Sequence, residues 1–233
     1  MDSPLLVLSG GLGTRIRSVI GEQPKALADT NGTPFLVRQI QNWEKCQFSE
    51  IILLLHYKAD QVIEIVESYQ FKIKIRFVVE PTLLGTGGAI RHAIVSLKLT
   101  RDFFVTNADT WLPTASVVLP VMSVPSIAIV WQEQFTRFGL LDLDTDKKIV
   151  VGFTEKPKIK TSGWINSGLY KFSVDNFFNK KDIKFSLEET ILPELCKQRS
   201  LKFFKLSSVF IDIGVPADYE RLKNYLKEND ENY

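Results

Sequence analysis

The sequence predicts a single α/β domain built on a mixed, mostly parallel sheet flanked by helices. Three observations point to it. Unbroken Ile, Leu and Val runs of strand length fill the first half, helical stretches separate them, and a glycine-rich turn follows the first run directly. With 233 residues and a hydrophobic fraction of 45%, the chain can fill one sizeable core. No repeat, linker or low-complexity segment divides it.

The elements follow in order. Residues 5–8 read as the first strand, then a helix over 34–45, a strand over 51–55, a helix over 59–69, a strand over 73–79, a helix over 88–97 and a strand over 103–107. Such continuous apolar runs suit strands covered on both faces. The second half changes texture, and short extended runs at 126–132, 138–143, 149–154 and 164–172 predict a more antiparallel part of the same sheet. A helix over 187–197 follows, opened by a capping box of Ser186 with Glu189 three residues on. A helix over 217–227 precedes the polar tail ENDENY, which is expected to fray.

Composition excludes several classes of function. Lys and Arg total 29 against 27 acidic residues, and a net charge of +2 gives no sign of a nucleic-acid surface. The first residues lack a basic n-region, and no run reaches the ~20 apolar residues of a spanning helix, so a soluble, cytoplasmic protein is expected, with no membrane partner. Cys46 and Cys196 have no metal-ligand spacing and read as small buried apolar residues in a reducing compartment. A homo-oligomer stays open, because no surface stripe stands out from the core pattern.

Ligands of parallel sheets sit beyond the carboxyl ends of the strands. The marked segments fall there, at 10–15, 80–88 and 107–109. The first, within "LSGGLGTR", brings bare main-chain N–H groups to a strand end, a common way to meet phosphate. It is no P-loop, since Thr14 and Arg15 follow Gly13, and no dinucleotide fingerprint, since Ile16 stands where the third glycine belongs. A tight turn without a ligand remains the alternative. Asp142, Asp144 and Asp146 alternate like a calcium loop, but Lys147 replaces its glycine and Phe153 its final glutamate, so a hairpin turn is expected. His56 and His92 read as surface or strand-end residues.

Seven motifs occur in one order: GGLGTR from Gly10, PKAL from Pro24, EPTLLGTGGA from Glu80, NAD from Asn107, FTEKP from Phe153, NSGLY from Asn166 and DIGVP from Asp212. This ordered set, spanning nearly the whole chain, resembles the sugar-1-phosphate nucleotidylyltransferases. The resemblance implies a Rossmann-like domain of the nucleotide-diphospho-sugar transferase type, with residues 1–110 as nucleotide-binding half and 111–233 as sugar-phosphate-binding half. It further implies in-line attack of a sugar 1-phosphate on a nucleoside triphosphate, a reaction promoted by positioning and charge neutralisation.

What the family implies for individual residues follows from the same motifs. Leu8, Gly10, Gly11, Gly13, Thr14 and Arg15 would meet the nucleotide, with Arg15 a planar fork for the departing pyrophosphate. Lys25 corresponds to the lysine on the α-phosphate, Gly85 to a nucleotide contact, and Lys156 to the lysine on the sugar phosphate. Glu155, Asn166 and Gly139 match sugar-binding positions, and Asp109 with Asp212 the pair that holds catalytic magnesium, Mg2+. Arg15, Lys25, Asp109 and Lys156 form the catalytic set.

Glu80 stands where the family reads the base. A carboxylate only accepts hydrogen bonds, and guanine offers N1–H beside an exocyclic N–H2, so GTP is the expected donor. The competing reading is a glutamate that only caps its loop. A non-catalytic regulatory paralogue that binds nucleotide sugars would be expected to lack Arg15, Lys25 or an aspartate, and all are present.

Overall fold

The computed structural model describes residues 3–11, 13–113, 115–154, 156–178, 180 and 182–229. Strands β1 (Leu5–Leu8), β2 (Ile51–Leu55), β3 (Ile75–Val79) and β4 (Phe103–Asn107) run parallel in the order β3-β2-β1-β4. Alternation along them feeds two apolar layers: Leu5, Val7, Ile51 and Leu53 face one, and Leu6, Ile52 and Leu54 the other. After the short α1 (Arg17–Ile20), helices α2 (Phe35–Glu44) and α3 (Ala59–Glu67) close the first layer through Leu36, Ile40, Val62 and Val66. Helix α4 (Gly85–Leu97) closes the second through Ala89, Ile90, Ala93 and Ile94. This both-sided burial explains the unbroken apolar runs.

The second half extends the sheet past β4. Strands β6 (Ser126–Phe135), β7 (Leu140–Asp144), β8 (Ile149–Thr154) and β9 (Thr161–Phe172) follow the two-residue β5 (Thr110–Trp111), and β9 lies antiparallel to both β4 and β6. β7 pairs antiparallel with β8 and also meets β9, Leu140 opposite Ile165, so this half curls back on itself. The antiparallel expectation holds, with one addition: β10 (Lys202–Lys205) joins β6 in parallel. After α5 (Asp175–Phe178), a π-helical turn at Leu187–Ile191 runs into α6 (Leu192–Lys197). The two-residue β11 (Ile211–Asp212) pairs with β5, and α7 (Pro216–Asn229) buries Tyr219, Leu222 and Leu226 against Phe35 and Trp111. No helix among the described residues is long and apolar enough to cross a membrane.

Several boundaries differ from the sequence expectation for visible reasons. Helix α4 begins at Gly85 instead of residue 88, because the Phe185 carbonyl accepts from the Gly87 and Gly88 N–H groups, each at 3.1 Å. Strand β3 begins at Ile75 instead of 73, since the N–H groups of Lys72 and Ile73 turn to the Glu44 carboxylate. β7 begins at Leu140 instead of 138. Ser186 does cap its helix, accepting from Glu188 and Glu189 N–H at 3.1 and 3.2 Å, but Glu188 supplies the carboxylate that accepts the Ser186 hydroxyl, at 2.9 Å. The Asp142–Asp144–Asp146 stretch is a hairpin turn, with Asp144 accepting from Lys147 N–H at 3.1 Å. Among the described residues, no cluster of three or more His, Cys, Asp or Glu could hold a metal. Burial pushes the thiols of Cys46 and Cys196 up to about 11, as befits inert core residues. Helix α7 reaches Asn229, and residues 230–233 of the tail lie outside the described residues.

Candidate functional site

Hydrogen bonds keep the strand ends in step where the sheet stops. Ser9 N–H donates to Leu54 O at 2.9 Å, Ala108 N–H to Leu8 O at 3.0 Å and Glu80 N–H to Leu55 O at 2.8 Å. The three marked loops therefore leave the same edge of the sheet, around a cleft of about 490 Å³. That is ample for a nucleotide or a sugar phosphate. From the first half Leu8, Gly10, Gly11, Arg15, Glu80, Gly85 and Asp109 line it. Gly139, Lys156, Asn166 and Asp212 line it from the second. Gly13, Thr14 and Lys25 do not, and Glu155 lies outside the described residues.

Glu80 is buried, and its Oε2 accepts from Leu84 N–H at 2.9 Å. The loop-capping reading is thus realised, with one oxygen. Oε1 turns toward Gly10, where a Cβ would stand 2.9 Å away, so this close approach needs a glycine. Burial raises the Glu80 pKa; the Leu84 N–H bond and the charges of His56 and His92 pull it back only in part. His56 stands just past the end of β2, its Nδ1 3.0 Å from Glu80 O.

The aspartates meet through backbone pairing. In the β5–β11 ladder Asp212 lies opposite Thr110, and Ile213 N–H donates to Asp109 O at 3.0 Å. Sequence neighbours of one carboxylate thereby pair with the other from 103 positions away. Lys25 Nζ forms an ion pair with Asp109 Oδ2, and the lysine stands behind that carboxylate without lining the cleft. For Asp109 the penalty of burial is the largest influence, yet attraction to Lys25 and the bonds it accepts prevail and lower its pKa. Asp212 is raised, first by burial and then by the charge of Asp109, against the pull of Lys25 and Arg137. Two hard carboxylates, one of them destabilised by the other's charge, suit a small divalent cation that takes its remaining ligands from water and phosphate.

On the other side, Asn166 is oriented within its own strand. Its Nδ2 donates to Tyr170 Oη at 2.6 Å, its Oδ1 accepts from Gly168 N–H at 2.9 Å, and its own N–H donates to Gly139 O at 3.0 Å. One amide hydrogen and one lone pair remain for a ligand. Lys156 adopts a left-handed backbone with φ of 48° at the rim.

Sequence reasoning missed part of this lining. Arg137 and Phe138 lead into the cleft beside Gly139; the Arg137 guanidinium carbon lies 5.1 Å from the Phe138 ring centroid and pairs with Asp218 of α7. Thr86, Ser186 and Glu188 form a polar wall, Glu188 Oε2 accepting the Thr86 hydroxyl at 2.6 Å. The GTGG stretch lets the segment that carries this wall pack closely against the start of α4. Gly85 has φ of 75°, and a Cβ on it would lie 2.6 Å from the Phe185 carbonyl oxygen. The capping signal at Ser186 was legible, but its place at a cleft was not.

Comparison with known proteins adds four findings. The model of the Nucleotidyl transferase family matches residues 5–229. The D-glycero-alpha-D-manno-heptose 1-phosphate guanylyltransferase of Campylobacter jejuni is 35% identical, over 92% of this chain and 96% of that protein. Mannose-1-phosphate guanyltransferase beta-A of Xenopus laevis is 29% identical over 92% of this chain, which spans 62% of that relative. Among solved structures, HddC from Yersinia pseudotuberculosis complexed with GMP-PN superposes with a TM-score of 0.82 at 35% identity, over 96% of this chain and 99% of HddC.

Proposed function

The chain belongs to the Nucleotidyl transferase family, and from that premise we propose that its cleft joins a sugar 1-phosphate to GTP, giving a GDP-sugar and pyrophosphate. The observation that carries the reading is the β5–β11 pairing, which sets Asp109 and Asp212 together at a cleft that Arg15 and Lys156 also line. A phosphate oxygen of the sugar 1-phosphate forms a bond to the α-phosphorus of GTP. The bond from that phosphorus to the bridging oxygen breaks, and pyrophosphate leaves with the electron pair. The attacking phosphate is already largely ionised at neutral pH, its second pKa being about 6, so no general base is required.

Charge placement is then the main task of the chain. Arg15, beside the bare backbone of Gly10 and Gly11, would receive the β- and γ-phosphates. Lys156 would hold the phosphate of the sugar, with Gly139 and Asn166 against its hydroxyls. Asp109 and Asp212 would hold Mg2+, whose contribution is to neutralise charge on the α-phosphate oxygens. Residues 1–110 would thus serve the nucleotide and 111–233 the sugar phosphate. The two cationic grips separate kinetically. Lys156→Ala is expected to raise KM for sugar 1-phosphate far more than for nucleotide, and Arg15→Ala to lower turnover and weaken the triphosphate. Steady-state kinetics with each substrate varied in turn checks both, and a Lys156→Ala defect confined to the nucleotide would reverse the assignment of halves.

The choice of guanine rests on Glu80, whose Oε1 is not the oxygen engaged by Leu84, and on the guanylyl transfer named in the relatives. Each mispaired buried group costs roughly 1–3 kcal/mol, so GTP should exceed UTP by at least about tenfold in kcat/KM. Glu80→Gln is expected to erode that ratio, chiefly by weakening GTP. Acidification should do the same in the wild type, and at a higher pH than for an exposed glutamate, because protonation removes the acceptor and burial raises the pKa of Glu80. A nucleotide ranking untouched by Glu80→Gln would remove this residue from base recognition.

For the sugar, D-glycero-alpha-D-manno-heptose 1-phosphate is the proposed substrate, supported by the relative that matches over nearly its whole length. Mannose 1-phosphate is the second reading, supported by relatives of which the chain spans 62%.

A further inference from the structure

Lys25 does not line the cleft itself but sits against a residue that does. Its side chain is only 15% exposed, its ammonium sits on Asp109 Oδ2, and Thr110 Oγ1 stands 3.4 Å from Asp109 Oδ1. The backbone beneath it is fixed, since Lys25 opens a 3-10 turn after Pro24 whose next residues, Ala26 and Leu27, are buried. Gly13 of the glycine loop packs on its stem, with a Cβ on that glycine falling 3.2 Å from Lys25 Cβ. The β5–β11 ladder brings Asp212 to the same place. The Lys25 ammonium therefore stands at the paired aspartates, where the divalent cation would be held.

We propose that Lys25 is the resident counter-ion of the aspartate pair: its ammonium holds Asp109 in position until a triphosphate draws it away and frees the carboxylate for the metal. The proposal rests on reading Asp109 and Asp212 as metal ligands. The exchange moves one positive charge from the carboxylate to phosphate, so no charge is stranded at either end. It makes Lys25 a positioning residue before the nucleotide arrives and a phosphate ligand afterwards. It also couples the ligands: nucleotide favours metal by removing a competing cation, and metal favours nucleotide by releasing the lysine. The glycine loop, lying on the lysine stem, is the element that a bound triphosphate would press upon.

The consequence has an unexpected sign, because deleting a cation from the catalytic set should improve metal binding in the absence of nucleotide. The test is titration of the full chain with Mn2+ alone, free Mn2+ being counted from its electron paramagnetic resonance signal. Lys25→Met is expected to tighten Mn2+ binding by roughly fivefold or more relative to the wild type. Lys25→Arg, which keeps the charge, should show no such gain. Lys25→Gln provides a second neutral variant should Lys25→Met fail to fold by circular dichroism. Asp109→Asn and Asp212→Asn serve as controls and should each weaken Mn2+. If both controls weaken it while neither neutral Lys25 variant tightens it, the counter-ion role is overturned alone. If neither control weakens it, the metal-ligand reading falls and takes this proposal with it.

Discussion

Asp109→Asn and Asp212→Asn are each expected to lower turnover by about 10²–10³-fold at saturating substrates, since charge neutralisation by a bound metal contributes several kcal/mol to such a transfer. Asparagine keeps the shape of the side chain and removes only its charge. The two variants should nevertheless differ in stability. Asp109 carries a lowered pKa through Lys25, so its ionised form is favoured by folding, and losing the charge leaves a partly buried ammonium without its partner. Asp212 has a raised pKa, from burial and then from Asp109, so its ionised form opposes folding at neutral pH. Neutralising it should leave the melting temperature unchanged or higher, whereas Asp109→Asn should lower it. Opposite stability effects with a shared loss of turnover would mark a site whose charges serve chemistry. Near-normal turnover in either variant at saturating magnesium would remove that residue from the metal site.

The second large effect concerns the glycines, because the two glycine-rich stretches are expected to respond differently to a methyl group. Gly85→Ala places a Cβ in the left-handed region, at a cost of about 1–3 kcal/mol, and drives it to 2.6 Å from the Phe185 carbonyl oxygen. The segment carrying Ser186 and Glu188 must then shift, and the wall it forms with Thr86 should open. Thermal unfolding should show a clear loss of stability. Gly11→Ala supplies the contrast, since a Cβ there meets nothing within 4 Å and the residue lies outside the positive-φ region. Its stability should stay within about 0.5 kcal/mol of the wild type, the usual range for a surface change. Nucleotide binding should weaken instead, because the added methyl group stands on a cleft wall. Equal stability losses in the two variants would contradict this division between a ligand loop and a packing seam.

That division shows what the sequence made legible. Runs such as Ile51 to Leu55 announce a two-sided parallel sheet, and the loops that follow β1, β3 and β4 contribute residues to the cleft. The antiparallel half was legible as texture. β10 was not foreseen because KFFK offers two apolar residues between lysines, too short a pattern to distinguish from a turn. Two-residue strands such as β5 and β11 have no pattern at all, and the pairing that joins Asp109 to Asp212 is made by the tertiary fold. Arg137 escaped notice because its partner, Asp218, lies 81 residues away. Bare backbone is ambiguous by nature: Gly10 admits a carboxylate, while Gly85 admits the carbonyl of another segment. The sequence motif marks Lys25 as a cation of the site, but only the fold gives it Asp109 as a partner.

Guanylyl transfer is measured most directly as release of pyrophosphate by the purified wild-type chain with magnesium, each nucleoside triphosphate being paired in turn with D-glycero-alpha-D-manno-heptose 1-phosphate and with mannose 1-phosphate. Pyrophosphate and GDP-sugar are expected in equal amounts with GTP and the heptose, with a lower kcat/KM for mannose 1-phosphate and at least about tenfold lower kcat/KM when UTP replaces GTP. Release of pyrophosphate without any nucleotide sugar, or equal use of UTP and GTP, would contradict it.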